Sequence, residues 1–419
     1  MSAPQLSAPP RRAAFGFIFA SAVTTAMSFG LMIPVLPNLV REFVGGDTAS
    51  AAEWVVLFTV VGGFMSFFAG PVLGLLSDRY GRRPVLLVSL LGLGVDFLLM
   101  AFAPTLLWLL VGRIVSGVTS GAFSTANAYV ADIVTPENRA RAFGFMGSAF
   151  SFGFLAGPAI GGLLGDYNLR WPFFAAAALT LANVLYGYFI VPESLPLEKR
   201  ASGFNWRKAN PLGALVLLRS HKDLAGLSVI SFLNGLANMV WPSIFVLYTG
   251  HRYGWTPGQT GLVMMVGGLF GVASQTLLVG PAVRHFGERG AMIIGSTSSM
   301  LGMAWIAYAP LGWMYFIGMP LNSLSGLIIP GLQGLMTRHV APHEQGQLQG
   351  ANQSIQGIAG MVGPLIFGLT FAWSVGHPQI QFPGLAVAIA AVIMGICLVM
   401  SLRMGRGATP AAAAAAPGE

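Results

Sequence analysis

A single cysteine, Cys397, stands in 419 residues. That excludes an intrachain disulfide, and its place in an apolar run gives no sign of redox chemistry. Charge is nearly as scarce: 9% of residues are Asp, Glu, Lys or Arg, whereas 55% are hydrophobic. The mean hydropathy is +0.71. A water-soluble fold of this length could not cover so much apolar surface with so few charges. Zinc-type His–Glu spacing, a phosphate loop and a nucleophile elbow are all missing. The six histidines (His221, His251, His285, His339, His343 and His377) are scattered over loops, span ends and a linker. Neither an enzyme nor a metal or other cofactor is expected, and without an ATP-binding motif any work must be driven by a gradient.

What is present is a series of apolar runs of the length a bilayer requires, roughly twenty residues each. The expected spans are 14–40, 54–76, 85–103, 105–131, 142–165, 172–191, 224–248, 259–283, 291–309, 312–337, 348–374 and 382–402. Threading them alternately puts eighteen of the 22 Lys and Arg on one side, leaves Arg41, Arg170 and Arg252 on the other, and leaves Arg113 inside a span. Such a bias places both termini in the cytoplasm, and the net charge of +8 reflects topology rather than nucleic-acid binding. The expected fold is therefore an all-α integral membrane protein of about twelve transmembrane helices. Its parts are a cytoplasmic tail 1–13, a six-helix bundle 14–194, a cytoplasmic linker 195–223, a second six-helix bundle 224–403 and a disordered tail 404–419. The apolar stretch Asn210–Arg219 in the linker is about half a span, which suits an interfacial helix.

The two bundles repeat each other. At an offset of 206 residues Tyr80-Gly81-x-Arg83 falls over Phe286-Gly287-x-Arg289, with Arg284 where the first copy has Asp78. At the same offset Gly157-Pro158 falls over Gly363-Pro364. Duplicated halves of this size, rocking about a midplane cavity, are the plan of many secondary transporters.

Four short features concentrate the chemistry. The turn Ser77–Pro84 carries four ionised residues between two long apolar runs. Asp78 ends the second span and Asp132 the fourth, where each carboxylate faces the negative end of its own helix. Charged neighbours Arg79, Arg82, Arg83, Arg139 and Arg141 offer either a network or a solvated basic loop. Asp96 and Arg113 lie on consecutive spans at the same depth, about 10–12 Å below the opposite surface at ~1.5 Å per residue. An unpaired charge so deep costs at least about 2.5 kcal/mol, so a pair is expected, either static or proton-carrying. Gly153, Gly157, Pro158, Gly161 and Gly162 place small residues at four-residue spacing around a proline, a face for close helix packing.

Together, Gly74-x-x-x-Asp78-Arg79-x-Gly81-Arg82-Arg83, Arg113-x-x-x-Gly117 and the Gly-x-x-x-Gly-Pro-x-x-Gly-Gly of the fifth span resemble motifs of the major facilitator superfamily. The fragments Gly30–Pro37, Ser77–Leu87, Pro172-Phe173-Phe174, Pro192-Glu193-Ser194 and Gln345–Gly350 resemble the tetracycline efflux pumps within it. The resemblance implies an inner-membrane drug:proton antiporter, a monomer exporting amphipathic molecules, in which the charged turn acts as a conformational latch. It also implies a proton site at Asp96. Thr25 and Ser299 stand where those pumps carry two further acids. Facilitated or lipid transport, and a transport-inactive receptor on the same fold, are the alternatives.

The polar groups left inside spans are the candidates for a substrate cavity: Asn127, Asn234, Asn238, Gln275, Gln333, Asn352 and Gln356, with Trp241, Phe123, Tyr129 and Phe150 as aromatic walls. Asn234/Asn238 and Asn352/Gln356 are each spaced i, i+4 and share a face. Each amide alone could equally be a helix-to-helix hydrogen bond.

Overall fold

The computed structural model describes residues 8–135, 138–201, 222–341, 344–377, 379 and 382–403. The expected interfacial helix of the linker, most of both tails, His221 and His343 lie outside them. The described residues are helical, with no strand among them.

The membrane-crossing helices are α1 (Gly16–Phe43), α2 (Thr48–Tyr80), α3 (Arg82–Phe102), α4 (Leu106–Ile133), α5 (Arg141–Tyr167), α6 (Trp171–Ile190) and α7 (Leu224–Tyr253). A 52-residue helical stretch follows, Pro257–Tyr308. Gly287, at φ 70° and ψ 173°, divides it into α8 (257–286) and α9 (288–308). The last three are α10 (Gly312–Arg338), α11 (Gln345–Gly376) and α12 (Leu385–Arg403). Twelve crossings are thus present among the described residues, as the apolar runs predict.

The breaks between α2 and α3 and between α8 and α9 share one cause. Gly81 has φ 107° and Gly287 φ 70°, the left-handed region that side chains with a Cβ avoid. These two glycines are 206 residues apart, so the sequence repeat is a repeat of backbone geometry. Chemistry sets other helix ends. Asp47 caps α2 by accepting from Ala49 N (3.3 Å) and Ser50 N (3.0 Å). At the start of α8, Thr256 and Gln259 form a reciprocal capping box.

Four helices are interrupted partway. α1 loses helical form at 33–35, beside Pro34, and α7 at Met239. α4 breaks at 119–121, and α10 tightens into a 3-10 turn at Leu324–Leu327. The interruptions again fall at matching stations of the two halves, which was not visible as a break in hydropathy.

Packing follows the same two-fold logic. α1 lies on α5 and α3 on α6, while α7 lies on α11 and α9 on α12. The halves meet along α5–α8 and α2–α11. The end of the bundle with the Ser77–Pro84 turn is here the turn end, and its opposite the far end. One large core, including Leu39, Phe97, Phe173, Tyr248, Ile306 and Phe371, runs through both halves towards the far end. Towards the turn end the core splits. One cluster (Phe17, Leu86, Tyr129, Met146) belongs to the first half and another (Leu224, Met292, Leu332, Met336) to the second. Among the described residues, the core shared by the halves lies towards the far end.

Candidate functional site

At the turn, Arg82 is the centre of a charge network. Its Nη1 donates to Asp78 Oδ1 at 2.6 Å and its Nε to Asp132 Oδ2 at 3.1 Å. Each carboxylate at a helix C-terminus, an unfavourable place by itself, thereby shares the one guanidinium of Arg82. Ser194 Oγ also donates to Asp132 Oδ2 (3.1 Å). Glu193, just past α6, accepts from the backbone of Arg82 (2.8 Å) and Arg83 (3.2 Å), capping the N-terminus of α3. Arg200 approaches its other oxygen at 3.8 Å, and Ala201 N donates to Asp78 O at 3.0 Å. Arg79 is exposed beside Tyr80, and Arg139 donates to Ala131 O (3.2 Å). All these partners lie in the first half and its outgoing segment. Gly74 has no neighbour within 4 Å of where a Cβ would stand.

The second half carries the same three positions with their charges reversed, and one of the two ion pairs. Asp78, Arg82 and Asp132 correspond, 206 residues on, to Arg284, Glu288 and Arg338. Arg338 Nη2 is hydrogen-bonded to Glu288 Oε1, the counterpart of the Arg82–Asp132 pair. The arginines of the repeat itself do not invert. Arg83 Nη2 donates to Tyr188 O (2.5 Å) near the end of α6, and Arg289 Nη2 to Leu402 O (2.6 Å) at the end of α12. Both satisfy carbonyls that a helix end leaves free, with a cation at the negative pole.

Asp96 and Arg113, placed at one depth by their spacing, form a buried ion pair through Asp96 Oδ2 and Arg113 Nη2. Asp96 is 0% exposed and Arg113 9%. Arg113 Nη2 also lies 3.3 Å from Met100 Sδ. Gly112 permits the approach, since a Cβ there would meet Asp96 Oδ1 at 2.5 Å.

The glycines of α5 serve two interfaces. Gly153 packs against Val23–Met27, Gly157 against Gly30 and Gly161 against Leu31, all on α1. A Cβ on Gly30 would come within 2.8 Å of Gly157 Cα, so the two backbones touch. On the other face Gly162 packs against Pro257 and Gly258, and Gly261 of α8 against Pro158. Asp166, at the far end of α5, accepts from Gly258 N (2.9 Å) and Thr256 Oγ1 (3.2 Å). It is a carboxylate of one half seated on the helix N-terminus of the other, where it is electrostatically favoured. α2 and α11 meet in the same region, with Ala49 Cβ 3.5 Å from a Cβ built on Gly376. By contrast Gly70, Gly74, Gly144, Gly147, Gly271, Gly280 and Gly346, towards the turn end of these helices, have nothing within 4 Å.

Between the halves lies a cavity of about 1230 Å³. Its wall includes three of the helix interruptions, at Ile33 of α1, Ser120 of α4 and Ser325 and Gly326 of α10, and Trp241 and Pro242 just past the fourth, in α7. Aliphatic side chains and glycines make most of the wall, and aromatic rings stand among them, including Phe29, Phe58, Phe150, Phe154, Phe245 and Tyr315. Tyr315 stands 5.6 Å from Trp255 and 5.7 Å from Phe245, centroid to centroid. Polar groups are sparse: Thr59, Ser66, Arg113, Ser116, Gln275 and Asn322 are among them.

Of the residues singled out in sequence, Trp241, Gln275, Phe150, Arg113 and Pro158 line the cavity. The others are placed elsewhere. Asn238 Nδ2 donates to Asn234 O (2.8 Å), using the i, i+4 spacing within α7. Gln356 Nε2 reaches Ser231 O (3.3 Å), tying α11 to α7. Asn352 Oδ1 is buried without a partner, Gln333 is exposed and Asn127 half-buried. Tyr129 is buried in the first-half core, with its hydroxyl donating to Pro192 O (2.7 Å). Phe123 meets Phe150 edge-on, 5.3 Å centroid to centroid, and does not itself line the wall. Ser299, fully buried, donates to Asn322 Oδ1 (3.2 Å), and Thr25 is half-buried on α1. Asn322, Tyr315, Ser116 and Asp166 were missed. Asp166 alone had a signal: an acid at the end of one span and a Thr-Pro-Gly-Gln start to another.

The Major Facilitator Superfamily family model matches residues 18–364 and again 227–417. The chain belongs to the Major Facilitator Superfamily. The overlapping matches reflect the duplicated halves, each of which satisfies part of the same pattern. Within the superfamily, the tetracycline resistance protein of class C from Escherichia coli is 38% identical over 388 residues, covering 93% of this chain and 96% of that one. Its class B counterpart from Escherichia coli is 33% identical over 346 residues, covering 83% and 85%. The resemblance seen in the motifs is borne out. Among solved structures, a nucleoside transporter variant superposes with a TM-score of 0.77 at 14% identity, covering 93% of this chain and 99% of the other. A human organic anion transporter gives 0.66 at 23%, covering 94% and 100%. At those identities the likeness is one of fold alone.

Proposed function

We propose that this superfamily member is a secondary transporter of the bacterial inner membrane that exports amphipathic small molecules in exchange for protons. The observation that carries this is the largely apolar cavity between the halves, joined over at the far end and, among the described residues, unpartnered at the turn end. A cavity of that size holds a drug-sized molecule, and its access from one side is one arm of alternating access. The bias of basic residues puts the turn end and both termini in the cytoplasm, so the cavity faces the compartment from which an exporter loads. The relatives named for tetracycline resistance support a drug as cargo. A monomer suffices, because both halves of the cavity come from one chain.

Asp96 is the acid held within the first half, separated from the cavity only by its partner Arg113. The charged networks at the two turns serve as the latch that biases the conformational equilibrium. Everted membrane vesicles test the proposal. With a proton gradient acid inside, they should accumulate tetracycline in a manner abolished by a protonophore and by Asp96→Asn. Uptake that persists in Asp96→Asn would remove the proton role, and absence of uptake for tetracycline and for a panel of amphipathic drugs would remove the export reading.

A further inference from the structure

Among the described residues lining the cavity, Arg113 is the one Lys, Arg, Asp or Glu. Its partner Asp96 stands behind it, with no exposure at all. A molecule entering the cavity therefore meets the cation first and the carboxylate only through it. The guanidinium is not used up by the pair: Nη2 makes the contacts to Asp96 and Met100, while Nε is buried without a hydrogen-bond partner. An arginine has five N–H donors and no acceptor, so its remaining capacity is for an acceptor only. The neighbouring wall adds hydroxyls at Ser116 and Ser120, which donate as readily as they accept. No acidic side chain is there to receive an ammonium group.

We infer that the molecules this cavity holds are amphipathic anions, with a carboxylate or enolate seated at Arg113 and the apolar body against the apolar wall. The inference rests on the proposed function and names the class of its cargo. An ionised acceptor on a guanidinium is bound more strongly than a neutral one, and the largely apolar wall around Arg113 strengthens that contact relative to one made in bulk water. Rings such as Trp241 and Phe245 would attract a cation through their faces, but the same cation would be repelled by Arg113. The Arg113–Asp96 pair is neutral overall but presents its positive end to the cavity, and that end, set against the ring faces, decides the sign of the bound charge.

The order of charges gives the inference a signature. Asp96 and an anionic ligand compete for one guanidinium. Removing the charge of Asp96 should strengthen anion binding and leave a neutral ligand unaffected. Removing both charges should erase the discrimination without stranding a buried ion, which removal of Arg113 alone would do.

Three matched probes test this: 4-(1-pyrenyl)butyrate, its primary amide and 4-(1-pyrenyl)butylamine. Binding to the purified full-length chain in nanodiscs is read by tryptophan quenching against empty nanodiscs. The butyrate should bind about tenfold or more tighter than the amide, the value expected for a charged against a neutral hydrogen bond, with the amine weakest. Asp96→Asn should tighten the butyrate by several-fold and leave the amide unchanged. The double variant Asp96→Asn/Arg113→Gln should bind butyrate and amide alike. Equal affinities in the parent, or tighter binding of the amine, overturn the anionic class while leaving export intact. An Asp96→Asn variant that shifts all three probes equally also overturns it, because the pair would then act only on the fold. If none of the three binds, the inference and the cavity reading beneath it both fail.

Discussion

Replacing Asp166 with alanine removes the one carboxylate that seats one half of the protein on a helix N-terminus of the other. Two hydrogen bonds are lost, from Gly258 N at 2.9 Å and Thr256 Oγ1 at 3.2 Å, together with a favourable charge–dipole contact. Hydrogen bonds to a charged acceptor contribute about 1.5–3 kcal/mol. Because Thr256 is exposed, the lower part of that range applies, and the whole cap is worth about 2 kcal/mol. The contact needs the far ends of α5 and α8 together. Its loss should therefore lower the ratio of the state seen here to the oppositely open state by roughly 30-fold. Spin labels at Gly144→Cys and Gly280→Cys, with Cys397→Ser, report on that ratio by electron–electron dipolar spectroscopy. Both glycines face open space at the turn end, so labels there do not clash. The label distance should shorten in Asp166→Ala, with the population of the short-distance form rising by the stated factor. A distance distribution unchanged to within about twofold would refute the idea that the far-end cap holds this state.

Other perturbations have equally definite outcomes. Arg82→Ala strands Asp78 and Asp132 at helix C-termini; vesicle transport should fall about tenfold or more, and inverting the triad with Asp78→Arg, Arg82→Glu and Asp132→Arg should restore part of it. Gly161→Val forces a branched side chain into the backbone of Leu31 and should lower stability by about 1–3 kcal/mol, seen as a drop in thermal unfolding temperature in detergent. Hydrogen bonds from Ser50 hold the Asp47 carboxyl below its ordinary value. A carboxyl lowered by folding stabilises above its unfolded pKa and loses that effect as pH falls through the folded value, so the contribution should fade below about pH 3.9. Because Asp47 is nearly fully exposed, the acid limb of the stability profile should shift only slightly in Asp47→Asn, and in that direction.

Charges and turns were the legible part of the molecule. Each ionised residue inside or beside an apolar span has to be accounted for, which is why equal depth sufficed to pair Asp96 with Arg113 and why a polar turn marked Gly81 and Gly287. The helix interruptions and the cavity wall were not legible. In a bilayer the lipid-facing side of a helix is as apolar as its packed side, so the periodicity that reveals a core in water disappears. Amides such as Asn234 and Gln356 were therefore indistinguishable from cavity groups, although Asn234 is bonded within α7 and Gln356 ties α11 to α7. Asn322 and Tyr315 were passed over because their wall forms only when α7, α8 and α10 are assembled. The break in α1 had a local cause in Pro34, and its partner at Met239 has one in Pro242, which cannot bond the carbonyl of Asn238.

The reversed triads have a consequence that a faithful duplication would not have produced. Identical networks related by a two-fold axis carry like charge, and they would repel whenever the turn ends approached each other. Here the first-half triad has one negative charge in excess (Asp78, Arg82, Asp132) and the second-half triad one positive (Arg284, Glu288, Arg338), within turn ends that Arg79, Arg83, Arg139, Arg141 and Arg289 keep basic. The triads by themselves attract, by about 1 kcal/mol for unit charges 4 Å apart in water, which offsets part of the repulsion between the surrounding arginines, and both effects are screened over about 8 Å at physiological ionic strength. Because the axis relating the halves runs along the membrane normal, the two triads sit at the same height. The dipole between them lies in the plane of the membrane. A transmembrane voltage acts along the normal and does no first-order work on such a dipole, so closure of the turn end should respond to salt and be indifferent to membrane potential.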